Sequence, residues 1–365
     1  MNIYSPRVIG SQQHVAARNE ITEAKLRRLA RLRADGPRVL SVYLDLDPER
    51  FATPPARASE VDSLLDEASR RIESEKHPHE ELEQLRADLE RLRGHLQDGG
   101  YTEGARAHAV FCCSSLELFE ALSLPEPVES RVTVSDSPYI EPLVEIGPPE
   151  PWCVALVNRR LARILRGSAN NLIEVLSFGD SVHGQHDQGG WSQARYQRSV
   201  EHDVDAHLRH TAEVLLRQFE RKRFVGLLLA APEELRLHVA EKLHPYVREQ
   251  LVGYLVLDVE NSTIEDVRSV AAEAIEDHQG AIVRERLEEL RARLGRGERA
   301  AAGAEDVSRA LTERRVGTLL YDRQQPGEDF VEHAVHAALE QDAEVFPVET
   351  PDLGPLGGIG ALLRF

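Results

Sequence analysis

Residues 152–179, WCVALVNRRLARILRGSANNLIEVLSFG, decide the fold of the middle of this chain. Two apolar runs on either side of Asn158-Arg159-Arg160 predict a β-hairpin, and the run that begins at residue 171 predicts a third strand. A sheet of this kind has to bury its apolar faces against other elements. The covering helices must therefore come from the sequence that follows.

A long helix, predicted over residues 192–222, supplies one such cover. One face of this helix carries, at helical spacing, Val204, Leu208, Thr211, Leu215 and Phe219. The continuous apolar run RFVGLLLAAP then predicts a buried strand. Another helix, a short strand in LVGYLVLDV and a helix over residues 262–279 complete this part. Strands mixed with covering helices predict an α/β or α+β fold.

The flanking sequence predicts two further domains, which agrees with a length of 365 residues, more than one core usually serves. Before the middle part, the predicted elements are a helix at 20–35, a strand at 37–48, charged helices at about 58–74 and 78–97, and strands at 108–114, 116–122 and 130–135. After it come helices at 282–295, 303–316 and 328–342, strands at 317–322 and 343–349, and a last strand after Gly357-Gly358. With a boundary at the prolines of residues 148–151, we predict domains at 1–150, 151–279 and 280–365.

Composition limits the classes of function. The chain is 41% hydrophobic and 29% charged, as in soluble globular proteins, and no run of about 18 apolar residues predicts a membrane span. Three cysteines are too few for a disulfide framework and indicate a reducing compartment, so we expect a cytoplasmic protein with no membrane partner. The net charge of −18 argues against a free RNA-binding protein, although a local basic stripe fits an acidic body.

The central residues resemble the catalytic domain of archaeo-eukaryotic class-1 release factors. The resemblance is carried by CVALVNRRLARILRG, by Gly189-Gly190 with the helix SQARYQRSVEHDVDAHLRHTAEVL, and by VGLLLAAPEE and VENSTIEDVRSVAAEAI. GAEDVSRALTERRVGTLLYD and GGIGALLRF are similar to the L7Ae-like domain of the same superfamily. The chain thus resembles a bacterial member of the archaeo-eukaryotic release factor and Pelota superfamily. This resemblance implies a mixed α/β N-terminal domain, an RNase-H-like central domain and an L7Ae-like α-β-α sandwich.

The family's Gly-Gly-Gln tip corresponds here to Gly189-Gly190-Trp191-Ser192-Gln193. Tryptophan stands in the third position, and the glutamine follows two residues later. A eukaryotic ribosome-quality-control branch of the superfamily uses Gly-Ser-Gln, whereas bacterial relatives of the hibernation type lack the catalytic tip. The loop ATPPARAS also differs from the loops with which other members read stop codons. The resemblance therefore leaves both a catalytic and a non-catalytic tip open, and argues against stop-codon decoding.

Hydrolysis of peptidyl-tRNA needs a water held against the ester carbonyl and donors for the developing oxyanion, of which a rigid one is worth about 3 kcal/mol. Gly189 and Gly190 allow a close backbone approach to RNA, and Gln193 offers a donor and an acceptor that do not titrate. These three residues form the catalytic hypothesis. In the alternative, Ser192 is simply the N-cap of the following helix, and Gln193 is a first-turn residue that faces solvent.

The predicted RNA-binding residues are Trp191, Ser192, Arg195, Arg198 and Arg209. The indole of Trp191 would stack on a base, or else fold back onto the domain. The three arginines share one helix face and form a basic stripe suited to phosphates of ribosomal RNA or tRNA. The alternative is a solvated helix face on which the arginines pair with Glu201 and Asp205.

Other chemistries find little support. Histidine pairs three residues apart can bind zinc, but the sequence near the tip has no ordered cysteine set and no four-ligand spacing, so no metal is predicted. The histidines around the tip are His183, His186, His202, His207 and His210. A two-metal nuclease would need inward carboxylates on the first strand, where the chain offers Asn158. No phosphate-binding GxxxxGK[ST] motif occurs, and we predict no cofactor. Cys112 and Cys113 lie in a predicted buried strand and are expected in the core.

The resemblance implies a translation factor that occupies the ribosomal A site, with ribosomal RNA and peptidyl-tRNA as partners. One hypothesis is an enzyme that hydrolyses peptidyl-tRNA during ribosome rescue or quality control. A second is a hibernation factor that blocks the site without chemistry, and a third is an RNA-processing or stress protein that shares only the fold. The resemblance also implies a translational GTPase that contacts the C-terminal domain.

Overall fold

The computed structural model describes residues 21–34, 38–99, 105–169, 171–179, 193–322, 327–348 and 351–365. These residues form three sheets and the helices that pack on them, which confirms the predicted mixed α/β fold class. The chain forms two compact units, one made of Met1–Pro148 with Glu285–Phe365 and the other of Pro149–Arg284. The three-domain division, with its RNase-H-like and L7Ae-like assignments, stays a prediction.

The first part of the larger unit is built on a four-stranded antiparallel sheet of order β3-β2-β1-β4. The strands are β1 (Val39–Asp45), β2 (Ala107–Cys113), β3 (Leu118–Leu124) and β4 (Arg131–Ser135). The helices are α1 (Glu23–Ala30), α2 (Pro54–Ser74), α3 (His79–Gln97) and α4 (Glu141–Ile146). Helix α1 is shorter than predicted; Thr22 caps it by accepting a hydrogen bond from the backbone N–H of Lys25 (3.2 Å).

Both faces of this sheet are buried, so β1 and β2 contain no exposed residue. One face packs under the α2–α3 pair, where Leu40, Leu65 and Leu92 share a core. The other face, which includes Tyr43 and Phe111, packs against α1, α4 and the C-terminal part of the chain. Cys112 and Cys113 lie in β2 and are buried, as expected.

The C-terminal part of the same unit has a four-stranded sheet of order β10-β13-β11-β12, in which only the β11–β12 pair is parallel. The strands are β10 (Ala300–Ala302), β11 (Val316–Asp322), β12 (Glu344–Val348) and β13 (Ile359–Leu363). The helices are α9 (Ala304–Thr312) and α10 (Glu328–Glu340). Side chains of this part, such as Val335 and Ile359, lie in one continuous core with Leu29 and Phe111.

A buried histidine fastens α1 to α10. His336 is 2% exposed, and its Nε2 lies 2.7 Å from the carbonyl oxygen of Pro138, which assigns the ring proton to Nε2. Its Nδ1 can then accept a hydrogen bond from Nη1 of Arg33 (3.2 Å). Burial lowers the pKa of His336 to about 4, so the ring is neutral at physiological pH. Arg27 and Arg31 add ion pairs to Asp342 at 2.8 and 3.0 Å.

The second unit contains a five-stranded sheet of order β7-β6-β5-β8-β9. The strands are β5 (Trp152–Val157), β6 (Leu161–Ser168), β7 (Asn171–Gly179), β8 (Gly226–Ala230) and β9 (Leu251–Leu255). Strands β5, β6 and β7 form an antiparallel meander, whereas β5, β8 and β9 are parallel. The hairpin, the third strand and the two later strands were all predicted, and the structure confirms them.

Helices cover both faces of this sheet. They are α5 (Gln193–Arg221), α6 (Glu233–Lys242), α7 (Pro245–Arg248) and α8 (Ile264–Arg296). Leu208, Leu215 and Phe219 of α5 pack on one face, and Val267 and Ile275 of α8 pack on the other. The second unit is therefore a three-layer α/β/α arrangement.

The prediction of two helices at 262–279 and 282–295 was wrong, because α8 runs without a break from Ile264 to Arg296. The expected break rested on Gln279-Gly280. An interior glycine lowers helix stability by only about 1 kcal/mol relative to alanine. No proline follows Gly280 to stop the helix, and buried side chains anchor α8 on both sides of it, Val267, Ala271 and Ile275 before Gly280 and Leu287 and Leu290 after it.

Candidate functional site

The predicted tip lies between the end of β7 at Gly179 and the start of α5 at Gln193. Gly189, Gly190, Trp191 and Ser192 lie outside the described residues. Gln193 is the first residue of α5, which agrees with the interpretation that it belongs to the first helical turn. The backbones of Arg195 and Arg198 are helical, and their side chains fall outside the described part.

Helix α5, which begins directly after the predicted tip, is a long helix whose far end packs on the sheet. Its 29 residues span about 43 Å. The buried face predicted from the sequence is confirmed at Leu208, Thr211, Leu215 and Phe219, which are 0–8% exposed. Within 200–221, where side chains are described, the buried residues begin at His207. The C-terminal half of α5 is therefore the part that packs on the sheet.

Arg209 is exposed and already has a carboxylate partner. Its Nη2 lies 2.5 Å from Oδ2 of Asp205, one helical turn earlier. Lys242 also binds Asp205, and this hydrogen-bonded ion pair, with Arg209, lowers the pKa of the Asp205 carboxyl. The contact of Arg209 with Asp205 is thus the one expected if this helix face is solvated and its arginines pair with neighbouring carboxylates. Binding of Arg209 to phosphate stays a prediction, and it would require exchange of this exposed pair.

A buried arginine, which no sequence motif indicated, fixes the hairpin that leads to the tip. Arg163 on β6 is 9% exposed, and its Nε and Nη2 donate to Oε2 of Glu174 on β7 at 2.9 and 2.6 Å. Its Nη1 donates to the carbonyl oxygens of Ser262 (2.8 Å) and Val259 (3.3 Å). One guanidinium therefore joins the last strand before the tip to the loop that precedes α8. The only sequence signal was an arginine at an inward position of a strand.

A cleft of about 480 Å³ opens at the carboxyl ends of β5, β8 and β9. In it, the Asn158 side chain donates to Oε1 of Glu260 (2.8 Å) and accepts from the backbone N–H groups of Arg160 and Leu161. Hydrogen bonds from Asn261 lower the pKa of Asp258. Asn158 is thus engaged in the turn that closes the β5–β6 hairpin.

The histidines near the tip divide between packing and surface. The rings of His207 and His210 contact the Phe178 ring, with centroids 6.0 and 4.8 Å apart, and His202 is exposed. Within the described ranges, no three His, Cys, Asp or Glu side chains are grouped so that they could hold a metal ion. His183 and His186 lie outside these ranges. None of the helices that are described has the length and apolar character to cross a membrane.

Part of the chain is similar to known proteins. Residues 138–279 match the family model of "Bacterial archaeo-eukaryotic release factor family 10", a range that holds all five strands of the central sheet. The chain is also 29% identical to peptide chain release factor subunit 1 of Methanopyrus kandleri over 116 residues, or 31% of this chain. That match spans 28% of the relative's length. The central part of the chain is thus similar to release factors.

Two solved structures match the chain at low similarity. The archaeal translation termination factor aRF1 matches 95% of this chain and 99% of its own, with 21% identity and a TM-score of 0.28. Archaeoglobus fulgidus Pelota matches 73% of this chain and 81% of its own, with 16% identity and a TM-score of 0.36. The family match over residues 138–279 confirms the resemblance that the central part of the sequence carries.

Proposed function

We propose that this chain is a cytoplasmic ribosome-binding translation factor that acts in the A site, with its central unit directed at the peptidyl-transferase centre. The observation that supports this most is the release-factor family match over residues 138–279. Within this range, a firmly packed helix of 29 residues begins directly after the Gly-Gly-Trp-Ser sequence. A rod of about 43 Å is long enough to carry a tip into a narrow site while its other end stays packed on the sheet.

In the enzymatic form of the proposal, the factor hydrolyses the peptidyl-tRNA ester during ribosome rescue or quality control. Gly189 and Gly190 would let the backbone approach the ester, and Gln193 would orient the attacking water. As the first residue of α5, Gln193 lies where helix N–H groups have no intrahelical partner. These donors would stabilise the negative charge that develops on the ester oxygen.

In the second form, the factor blocks the A site and the peptidyl-transferase centre without chemistry, as a hibernation factor. Two observations favour it. Trp191 occupies the third tip position, where the family's catalytic glutamine would stand. Gln193 lies two residues beyond that position, in the first turn of α5. An indole at the tip would fill the site and stack on a base.

The two forms are separated with stalled ribosomes that carry labelled peptidyl-tRNA. Wild type, Gln193→Ala and the matched control Gln197→Ala, one turn further along α5, are compared for peptide release. Release that is lost only in Gln193→Ala supports hydrolysis. Absence of release by a wild type that still pellets with ribosomes supports blockage. Failure of the wild type to pellet with 70S particles would overturn both forms.

The basic stripe and the GTPase partner have separate tests. Pelleting is measured at several salt concentrations, and the logarithm of the binding constant is plotted against the logarithm of the salt concentration. Arg195→Ala with Arg198→Ala should make the slope of this plot shallower by about two, since each phosphate contact accounts for about one. An unchanged slope would remove the stripe from the proposal. We also propose that the C-terminal part of the larger unit contacts a translational GTPase. Ribosome-stimulated GTP hydrolysis that does not change when the factor is added would contradict that contact.

A further inference from the structure

A second basic segment lies at the end of α5 that is far from the tip. Residues 217–223, RQFERKR, contain four cations and one acid, a local charge of +3 in a chain whose net charge is −18. The four cations are Arg217, Arg221, Lys222 and Arg223. All four are exposed in the structure. We call these four residues the distal basic patch.

The distal basic patch differs from the other dense basic segment of the chain. Five cations lie on or beside α1, and each forms an ion pair with a carboxylate: Lys25, Arg27, Arg28, Arg31 and Arg33. Among the residues that the structure describes, none of the four cations of the distal basic patch forms an ion pair, although Glu213 and Glu220 lie on the same helix. The positive charge at α1 is used within the fold, whereas the charge at the patch faces solvent.

Stabilisation of the helix end does not account for the patch. Cations in the last turn of a helix interact favourably with its terminal carbonyl groups, an effect confined to that turn. Here the half-buried Arg166 on β6 already binds those carbonyls, donating to Gln218 O at 2.6 Å and to Lys222 O. Arg166 also offsets the negative end of the helix dipole, which would otherwise repel an anion. The exposed cations are therefore available to an external partner.

Packing beneath the patch makes it a fixed surface. Phe219 and Phe224 are 8% and 2% exposed, with ring centroids 5.0 Å apart. The guanidinium carbon of Arg223 lies 5.8 Å from the Phe219 ring, which restricts that side chain. Arg217 and Arg221 are one helical turn apart, about 6 Å, on the same side of α5. Arginines on such a helix surface suit phosphate, because the guanidinium can donate two parallel hydrogen bonds.

We infer that the distal basic patch binds the phosphate backbone of RNA. The inference rests on the proposed function and extends it, because the patch lies 24 residues along α5 from Gln193, about 36 Å along a straight helix. The same rod would then contact RNA at both ends, at its tip and at the patch. Two contacts on one rigid helix fix its direction, which a single contact at the tip cannot do.

The test uses the full chain and a short fluorescent RNA duplex, with no ribosome present. Binding is measured between about 50 and 200 mM salt for wild type and for Arg217→Gln/Arg221→Gln/Arg223→Gln. The matched control is Arg86→Gln/Arg296→Gln/Arg309→Gln, which removes the same charge from exposed arginines elsewhere. Thermal unfolding checks that all three proteins are folded.

In a plot of the logarithm of the binding constant against the logarithm of the salt concentration, we expect the slope of the patch variant to be shallower than that of the wild type by about three. The control variant should have the wild-type slope. Over this fourfold change in salt, wild-type binding should weaken about 40-fold more than binding of the patch variant. Equal slopes for the two variants, or no binding by the wild type at low salt, would overturn the inference. So would tighter binding to phosphatidylglycerol vesicles than to RNA, with the same loss in the patch variant.

This outcome is independent of 70S pelleting. If the protein pellets with 70S particles but its duplex binding does not depend on the distal basic patch, the proposed function stands and the inference about the patch is wrong. If the protein binds the duplex through the distal basic patch but does not pellet with 70S particles, the inference about the patch stands and the proposed function is wrong.

Discussion

The start of β8 contains a glycine that the neighbouring strand does not allow to change. Gly226 lies opposite Trp152 in the parallel β5–β8 pair. A Cβ atom added at Gly226 would lie 2.1 Å from Cζ3 of the Trp152 indole, and 2.5 and 2.6 Å from Cε3 and Cη2. Because no carbon–carbon contact is that short, Gly226→Ala requires the indole or a strand to move.

The indole has little freedom to move. Trp152 is 1% exposed, and the His278 ring stands edge-on to it with centroids 5.7 Å apart. Overpacking of a filled core costs about 1–3 kcal/mol, and a rigid buried ring places this site at the upper end. We therefore expect Gly226→Ala to lower the free energy of unfolding by about 3 kcal/mol and Tm by about 6–12 °C.

Gly253 on β9 is the matched control in the same sheet. The nearest atom to a Cβ at this position is Cδ2 of Leu228 at 3.9 Å, an ordinary contact. Gly253→Ala should leave stability unchanged or raise it by about 0.5 kcal/mol, since alanine has less backbone entropy to lose than glycine.

The assay is calorimetric unfolding of the full chain, together with a double-mutant cycle that combines Gly226→Ala with Trp152→Leu. Leucine relieves the clash, so the double variant should be clearly more stable than the sum of the single changes predicts. The reasoning is refuted if Gly226→Ala and Gly253→Ala unfold at the same temperature, or if the cycle shows no coupling.

Three further predictions concern buried polar groups. Burial, with the neighbouring His95, lowers the pKa of His108 from 6.5 to about 4, so only the unfolded chain takes up this proton between those pH values. The free energy of unfolding, measured by urea titration, should fall as pH drops from about 6.5 to 4. In His108→Phe this fall should be smaller than in the wild type by up to about 3 kcal/mol, and parallel pH profiles of the two proteins would contradict this. Arg163→Met leaves Glu174 and two carbonyl oxygens without their donor, so we expect a loss of about 2–3 kcal/mol and faster hydrogen exchange in β7, with Arg163→Lys intermediate; exchange at the wild-type rate would contradict it. All three cysteines are buried and burial raises the pKa of the Cys153 thiol to about 12, so Ellman's reagent should modify them only after unfolding; rapid reaction of the native chain would contradict this.

Much of the central unit could be predicted because its elements carry strong local signals. The spacing from Leu208 to Phe219 predicts the buried face of α5, and the apolar run from Gly226 to Ala230 predicts a buried strand. Helix α8 was wrongly divided because Gly280 is a weak stop signal, which the buried side chains on either side of it outweigh. Strand β10, Ala300–Ala302, was missed because three alanines show no alternation.

The candidate site was harder to predict, because its contacts join residues far apart in sequence. The bonds from Arg163 to Val259 and Ser262 span nearly 100 positions and leave no periodic pattern. The ion pair of Arg209 with Asp205 is local, and helical spacing alone suggested it. The roles of Gly189, Gly190 and Trp191 stay predictions, since these residues lie outside the described ranges.

The larger unit draws its core from both ends of the chain, and this sets the order in which the protein can be completed during synthesis. Leu29 and Phe111 leave the ribosome early, but Val335 and Ile359, which share their core, are made more than about 200 residues later. Residues 149–284 can close their own core well before that. Nascent chains arrested before residue 316 should therefore be cut by protease within residues 1–148, and the finished chain should resist cutting there. A truncation near the C-terminus would thus damage the fold of the opposite terminus.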